Sequence, residues 1–442
     1  MSQPMGTIVS RRGLLASVAA TTAGVLAGGI DARADTRPAS VAAWVTKHAV
    51  PIGTVDPTAS LADLAPLRRS IRDAHIVGLG ESVHGASEEE TLKHRTLRFL
   101  VERMGFRTIA WEEQWTVGVP VDDYIRTGDG DLGTLMSQLG GQWQTKEVAD
   151  VLRWLRDFNA GRDDKVSFVG VEYYFTGRLA YEAVESYVAR TAPDRLTTLH
   201  RYLDPISPTT DNPYDHVTWY QGVDDKTPYI HDATQVYNLV ASVPHQTGDR
   251  DHALALHNAR QIVSFFVHYQ LSDADGLIYR DVQAARNLRW WREFSGDRIA
   301  YWAASPHTAN APRLRMAMPG AADMRFPSAG SYLRGWYGRS YVSIGFTFDS
   351  GRVSLEPGVD AVMQPAKPEW FERHLGDVDL AQFAIDLRAA HAPVPVRNWE
   401  NAPVKTRGLP QGGPDAFMDG GTLAQWFDVI VHRQQVMPTR PA

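Results

Sequence analysis

The chain has 442 residues, of which 43% are hydrophobic, a formal net charge of −6 and no cysteine. A chain without cysteine excludes thiol nucleophiles, disulfides and cysteine-ligated zinc. The acidic balance, with no long basic run, argues against nucleic acid as a partner. The length allows two or three domains, or one large domain with an insertion.

Residues 1–34 predict an export signal rather than a part of the fold. Arg11 and Arg12 form a twin-arginine pattern, an apolar stretch follows, and Ala32-Arg33-Ala34 is a cleavage site before Asp35. We therefore expect the twin-arginine translocase as a partner and a secreted or periplasmic mature protein. The alternative is an uncleaved N-terminal anchor.

Six short apolar runs predict strands. They cover residues 75–79, 107–111, 166–171, 298–303, 341–348 and 427–432. The first four lack polar alternation, as strands do when both faces of their sheet are covered. Asp349-Ser350-Gly351 predicts a turn after the fifth run. The pattern predicts an α/β fold with a mostly parallel central sheet and flanking helices.

A helix is predicted between the first two strands. Ser87 and Glu90 match a capping box, and Gly105 matches a helix end. Arg95 lies four residues before Phe99 and therefore on the apolar face of this helix. A guanidinium on an inward face needs a partner.

The remaining patterns predict how the chain is divided. Residues 176–296 read almost entirely as helices, which predicts a large helical insertion in an α/β catalytic domain of residues 35–175 and 297–442. Residues 305–340 and 391–421 are rich in Pro, Gly and Ala and predict irregular loops.

Ionisable residues lie at or just beyond the ends of four predicted strands. Glu81 and His84 follow the first, Glu112 ends the second, Glu172 the third and His307 the fourth. Because the carboxyl ends of parallel strands share one edge of a sheet, these side chains are expected around one crevice. An imidazole oriented by a carboxylate suits a general base. Each residue alone could be an ordinary surface group, and the repetition favours a site.

Two other kinds of site are less consistent with the pattern. The sequence around Ser82 lacks the final glycine of the G-x-S-x-G nucleophile elbow. Glu81, His84, Glu112 and His307 are possible metal ligands, but there is no H-E-x-x-H pattern and a nearby arginine disfavours a cation. We therefore expect no metal.

Three motifs resemble the erythromycin esterase family. They are Gly80-Glu81-Ser82-Val83-His84-Gly85, Lys93-His94-Arg95 and Trp111-Glu112-Glu113. The similarity continues through Trp143, resumes at Tyr279-Arg280-Asp281 and reaches residues 427–430. Each motif alone is weak, and together they are fairly specific.

The resemblance implies hydrolysis of a macrocyclic lactone or related small-molecule ester, without metal or cofactor. It implies that His84 acts as general base on water, that Glu81 or Glu112 orients the imidazole or the water, and that Arg95 offsets charge on the oxyanion. His307 matches a second histidine of the family. Other residues expected to bind substrate are Trp111, Trp143 and Glu172.

The sequence departs from the family pattern at the fourth strand. The family reads W-A-H-N-x-H there, whereas this chain reads Trp302-Ala303-Ala304-Ser305-Pro306-His307. Because Ala304 replaces a histidine, one alternative is an exported binding protein that keeps the pocket without turnover. Another is a metal- or haem-linked protein.

Overall fold

The centre of the fold is a sheet whose middle strands are buried on both faces. The computed structural model describes residues 40–356, 358–388 and 392–442, so the predicted signal at 1–34 lies outside the described residues. The strands are β1 (Val50–Pro51), β2 (Ile76–Glu81), β3 (Thr108–Gln114), β4 (Ser167–Glu172), β5 (Ile299–Ala304), β6 (Leu314–Ala317), β7 (Met324–Phe326), β8 (Tyr341–Glu356), β9 (Val359–Met363), β10 (Gln382–Asp386), β11 (Pro403–Arg407), β12 (Phe417–Thr422) and β13 (Val429–Val436).

The large sheet is mostly parallel, as predicted. Its order is β1-β10-β13-β8-β2-β5-β3-β4, with β9 paired to β8. All neighbours from β13 to β4 are parallel, and β1, β10 and β9 add antiparallel pairs. Every residue of β2, β3, β4 and β5 is buried. Burial on both faces explains why these strands appear in the sequence as unbroken apolar runs.

Helices cover the sheet and fill the chain between β4 and β5. They are α1 (Val41–His48), α2 (Leu67–Ile71), α3 (Ser87–Met104), α4 (Trp115–Thr127), α5 (Leu132–Gln138), α6 (Lys146–Asn159), α7 (Arg178–Thr191), α8 (Leu196–Leu203), α9 (Pro213–Gln221), α10 (Thr227–Ala241), α11 (Arg250–His268), α12 (Asp273–Ser295), α13 (Ser305–Thr308), α14 (Ala329–Tyr337), α15 (Arg373–Gly376), α16 (Val394–Asn401) and α17 (Leu423–Trp426). Among the described residues, no helix combines the length and apolarity needed to cross a membrane.

Helices α7 to α12 occupy the predicted insertion. The chain from 173 to 298 is described throughout and contains no strand. Several of these helices pack around an apolar cluster of their own, which includes Val184, Tyr220 and Phe265. They belong to the same compact unit as the sheet. The division into a catalytic domain and an insertion therefore remains a prediction.

Helix α3 begins differently from the predicted capping box. Its N-cap is Ala86, which forms no side-chain cap, and Ser87 is the first helical residue. The Ser87 hydroxyl donates to Glu147 instead, at 2.8 Å. The helix ends at Gly105 as predicted, in the left-handed conformation with φ 74°. The predicted capping box is wrong because the Ser87 hydroxyl donates to the buried Glu147 and not to the backbone of its own helix.

A second sheet forms where irregular loops were predicted. Strands β11, β12, β6 and β7 make an antiparallel sheet, in that order. The predicted turn at Asp349-Ser350-Gly351 is also wrong, because β8 continues through these residues to Glu356 and pairs with β9. Short strands carrying Pro and Gly resemble loops in sequence. The local pairs β6–β7 and β11–β12 form one sheet through the pairing of β12 with β6, which are distant in sequence.

Close backbone packing fixes α13 against the central strand β2. A Cβ atom added to Gly80 would lie 2.1 Å from the Thr308 hydroxyl oxygen and 2.9 Å from the Ser305 Cα. The Ser305 hydroxyl donates to the Gly80 carbonyl at 2.9 Å. Glycine thus lets α13, and His307 on it, come close to the end of β2.

Candidate active site

A cavity of about 720 Å³ lies at the carboxyl ends of the parallel strands. Strands β2, β5 and β3 are neighbours, so Glu81, Ala304 and Glu112 reach the same edge of the sheet. The side chains of His84 and His307 also lie there. Among the described residues, the carboxyl, imidazole and guanidinium groups that line the cavity belong to His84, Glu112, Arg280, His307 and Glu356.

His84 is held by a buried acid behind it. Its Nδ1 lies 3.0 Å from Glu81 Oε1, and the Glu81 side chain is fully buried whereas 31% of the His84 side chain is exposed. The Lys93 ammonium on α3 contacts the other Glu81 oxygen. Because an ionised carboxylate can only accept, His84 Nδ1 carries the proton and Nε2 retains its lone pair.

The charges around His84 shift the pKa values of both partners. Burial alone would raise the pKa of Glu81, but Lys93 and His84 together lower it. Burial opposes protonation of His84, yet the bond to Glu81 and the charges of Glu81 and Glu112 raise its pKa above the usual value. The pair is therefore an ionised acid holding an imidazole that titrates above its free value.

Glu112 gathers two cations on the other side of the cavity. Its Oε2 accepts from the Ala304 amide at 2.8 Å. Its Oε1 accepts from Arg280 Nη2 at 2.8 Å and lies 3.3 Å from His307 Nε2. Burial would raise the pKa of Glu112, but His307 and Arg280 hold it well below its usual range. A carboxylate with its oxygens engaged in this way positions cations and is a poor general base.

His307 carries a positive charge at neutral pH. Its Nδ1 lies 3.0 Å from an oxygen of Asp281, which is buried on α12. Burial opposes the charged form, but Asp281 and Glu112 outweigh it and raise the pKa of His307 to about 10. The cavity thus contains one imidazole suited to accept a proton and one that is already protonated.

Arg95 does not reach the cavity. Its guanidinium forms an ion pair with Asp63, with Nη2 2.8 Å from Oδ1. It also donates to the carbonyls of Thr54 and Ser60. Arg95 points inward and has an ionic partner, as predicted. That partner, Asp63, lies in the segment before α2 and away from the cavity lining. The structure therefore does not place Arg95 where it could offset charge on an oxyanion, and Arg280 supplies the guanidinium that lines the cavity.

The predicted substrate-binding residues lie behind the cavity surface. Trp111 is buried and stacks on Trp302 with ring centroids 4.4 Å apart. Trp143 packs edge-on against the His84 ring at 4.8 Å, and its indole donates to the Glu112 carbonyl. Glu172 accepts from Arg280 Nε at 3.0 Å. None of the three predicted residues lines the cavity, so direct substrate contact is not supported for them.

Ser82 and Glu113 face away from the cavity. The Ser82 hydroxyl donates to Glu89 at 2.8 Å in a buried contact, which argues against a serine nucleophile. Glu113 accepts from the amides of Gln114 and Gly140, and burial raises its pKa to about 7. Only Glu112 of the acidic pair at the end of β3 enters the site.

One set of residues has the spacing of a metal site. Glu81, His84 and Glu112 each offer a ligand atom within 4.8 Å of the others. However, Lys93 already neutralises Glu81, and Arg280 and His307 neutralise Glu112. Because these cations already balance the negative charge of the two carboxylates, the donor set fits a metal ion poorly.

Three further residues contact the acids and histidines of the candidate site without having been predicted to do so. Lys93 stood in the motif with Arg95 and received no role, although its ammonium holds Glu81. Arg280 and Asp281 lie on α12, inside the predicted insertion. Their only signal was the motif Tyr279-Arg280-Asp281, since an insertion gives no reason to expect side chains at a sheet edge.

Comparisons with known proteins give consistent results. The profile of the family described as erythromycin esterase matches residues 101–436, beginning after the motif that contains His84. The erythromycin esterase type II of Escherichia coli is 30% identical over 131 residues, 29% of this chain and 30% of that protein. The alignment thus spans under a third of that curated relative.

Solved structures match over a longer part of the chain. The crystal structure of a Bacillus cereus protein has a TM-score of 0.80 and 27% identity, covering 91% of this chain and 98% of the other. A mutant of the erythromycin esterase EreC in its open conformation has a TM-score of 0.65 and 16% identity, covering 87% and 96%. At that identity the second likeness concerns the fold alone.

Proposed function

Because this chain belongs to the erythromycin esterase family, we propose that it is an enzyme that hydrolyses a carboxylic ester or lactone of a small molecule. The observation that carries the proposal is His84, bonded to buried Glu81 and opposite two cations in one cavity. This arrangement pairs a proton acceptor with groups that stabilise negative charge, as hydrolysis of an ester requires.

In the proposed reaction His84 activates water. Nε2 takes a proton while the water oxygen attacks the ester carbonyl carbon and forms a tetrahedral oxyanion. As this intermediate collapses, the bond between the carbonyl carbon and the leaving oxygen breaks, and His84 returns the proton to that oxygen. Glu81 holds the ring in the required tautomer and stabilises the imidazolium, and Lys93 keeps Glu81 ionised.

Arg280 and His307 are the proposed partners of the oxyanion. Both line the cavity, and Glu112 fixes both through one carboxylate oxygen. Fixed cations in a partly buried site stabilise developing charge without reorganising during the reaction. Glu112 is a positioning residue in this scheme.

The opposite wall of the cavity favours an apolar substrate. It includes Met316, Met318, Met324, Phe326 and Leu409, mostly from the second sheet. Flexible methionines adapt to irregular ligands. A bulky macrolactone suits such a wall. Ala304, which also lines the cavity, is smaller than the histidine that the family pattern has at this position.

The test is mass spectrometry of macrolides, simpler lactones and linear esters after incubation with the purified protein. We expect at least one compound to gain one water. His84→Ala should abolish this gain, whereas the matched control His75→Ala, before the start of β2, should retain it. Full activity of His84→Ala would overturn the mechanism. Tight binding of a compound that stays intact would favour the alternative, a binding protein without turnover.

We also propose that residues 1–34 direct export through the twin-arginine translocase, with cleavage before Asp35. The supporting pattern is Arg11-Arg12 followed by an apolar stretch and Ala32-Arg33-Ala34. The mass of the protein recovered outside the cytoplasm should correspond to a chain starting at Asp35. Replacing both Arg11 and Arg12 by lysine should reduce export, and unchanged export would contradict the proposal.

A further inference from the structure

The six residues after β13, here called the strap (residues 437–442), bind two separate loops. The Thr439 amide donates to the Gly85 carbonyl at 3.0 Å, and the Met437 carbonyl accepts from the Ser87 amide at 2.8 Å. Further along, the Arg440 carbonyl accepts from the Lys146 amide at 2.8 Å. Bridges pair Pro438 with Ala86 and Pro441 with Thr145. The strap therefore joins the loop of His84 to the start of α6.

A buried acid anchors the strap. Glu147 accepts from the Arg440 amide and from Arg440 Nε, each at 3.1 Å, and from the Ser87 hydroxyl at 2.8 Å. The Glu147 side chain is 1% exposed. Hydrogen bonds to a buried carboxylate are among the stronger ones. The position of the strap is thus fixed by the same acid that fixes the start of α3.

The strap forms one wall of the cavity. Thr439 and Pro441 line the cavity together with His84, Gly85 and Thr145. Gly85, with φ 83°, has its carbonyl held from two sides, by the Ser354 amide and the Thr439 amide, each at 3.0 Å. The wall is therefore tied by hydrogen bonds to the residue that follows the proposed base.

We propose that Thr439 and Pro441 determine how large an ester group fits beside His84. The proposal rests on the proposed ester hydrolysis. The apolar wall on the second sheet can adapt through its methionines, whereas the strap is fixed by its backbone bonds and by Glu147. A fixed wall next to the reacting group excludes substrates by size. The adaptable wall accommodates the part of the substrate that lies farther from the ester.

The experiment compares kcat/KM for p-nitrophenyl esters of increasing acyl size in three variants. Pro441→Trp narrows the cavity from an exposed position and should lower kcat/KM for bulky esters about tenfold relative to acetate. Deleting residues 439–442 should change the ratio in the opposite direction. The matched control Met437→Trp lies on the strap, is 60% exposed and does not line the cavity, so it should leave the ratio unchanged.

The outcomes separate this proposal from the proposed function. If the wild-type protein cleaves neither these esters nor any macrolide or lactone of the first test, the proposed function fails, and the strap is then tested by calorimetric binding of alkyl amides of the same sizes. A size-dependent loss of affinity in Pro441→Trp would still support the strap as a wall. An equal effect of Pro441→Trp on all sizes, or an effect of Met437→Trp as large as that of Pro441→Trp, would overturn the proposal.

Discussion

At the scale of single residues, two histidines line the same cavity in different electrostatic surroundings. His84 has an exposed edge and one acid partner, whereas His307 lies between Asp281 and Glu112. A second carboxylate partner stabilises the imidazolium further, so His307 should keep its proton at pH values at which His84 has released its own. The different surroundings are the physical reason why the proposed mechanism uses His84 as the base and His307 as a fixed cation.

The first prediction concerns the pH dependence of turnover. We expect kcat/KM to rise with pH as His84 loses its proton, with a midpoint above the usual histidine value because its pKa is raised. Activity should fall again near pH 10, since the pKa of His307 is about 10 and its charge is lost there. A pH–rate profile measures both limbs. Glu81→Gln should move the acidic limb to lower pH, and an unmoved limb would contradict the assignment of His84.

The second prediction separates Arg280 from Arg95. Arg280→Met should lower kcat about 10²- to 10³-fold, as the loss of one oxyanion partner does in other enzymes. Arg95→Met should instead lower stability by roughly 1–3 kcal/mol, because Asp63 loses its ionic hydrogen bonds, while kcat stays close to wild type. Steady-state kinetics and thermal unfolding of both variants provide the measurement. The reverse pattern would restore the role first expected for Arg95.

The sequence predicted which ionisable residues lie near one edge of the sheet, and it did not predict the contacts of the residues on helices. The structure places Glu81, His84, Glu112 and His307 around one cavity because parallel strands end at a common edge. Helix spacing showed that Arg95 points inward but could not show which neighbour lies there. Rotation around a helix defines a face, and only the tertiary arrangement defines what that face meets.

At the scale of elements, helix α3 is unusual because its first turns carry buried charges. Glu89, Glu90 and Lys93 are each at most 2% exposed. Lys93 is paired with Glu81, whereas burial raises the pKa values of Glu89 and Glu90 to about 8. The helix thus supplies the cation behind the proposed base and two acids that are protonated at neutral pH.

The third prediction follows from the pKa of Glu89. Its folded-state pKa of about 8 exceeds the value of 4.5 for an unperturbed glutamate, so the folded protein binds the extra proton and stability falls as pH rises between these values. Glu89→Gln removes this loss and should stabilise the protein by roughly 1–3 kcal/mol at pH 8 relative to pH 5. Chemical denaturation at both pH values checks this. If the difference in free energy of unfolding between Glu89→Gln and wild type were the same at both pH values, the prediction would be contradicted.

The predictability of an element depended on how it is buried. Strands β2 to β5 have continuous apolar sequences because both faces are covered, and the sequence located each within a few residues. Strands β6, β7, β11 and β12 are short and partly exposed. The pairs β6–β7 and β11–β12 are local, but the pairing of β12 with β6 joins residues about a hundred positions apart, for example Met418 with Met316. A local pattern cannot reveal such partners.

At the scale of the whole molecule, the cavity is assembled from distant parts of the chain. The large sheet supplies Glu112, α12 supplies Arg280, the second sheet supplies Met316 and the strap supplies Thr439. The sequence predicted the first part and the helical character of the second. It missed the apolar wall, because that wall exists only once the second sheet has formed, and substrate preference therefore could not be predicted in detail.

The methionines of the apolar wall should also make this pocket sensitive to oxidants. Met316, Met318 and Met324 line the cavity, and the chain has no cysteine that could react first. Conversion of a thioether to a sulfoxide makes an apolar surface polar. We expect mild peroxide to raise KM for bulky substrates with little change in kcat, and methionine sulfoxide reductase to reverse the effect. Oxidation and reduction of these methionines would then change substrate preference reversibly, without any change in the residues proposed to carry out hydrolysis.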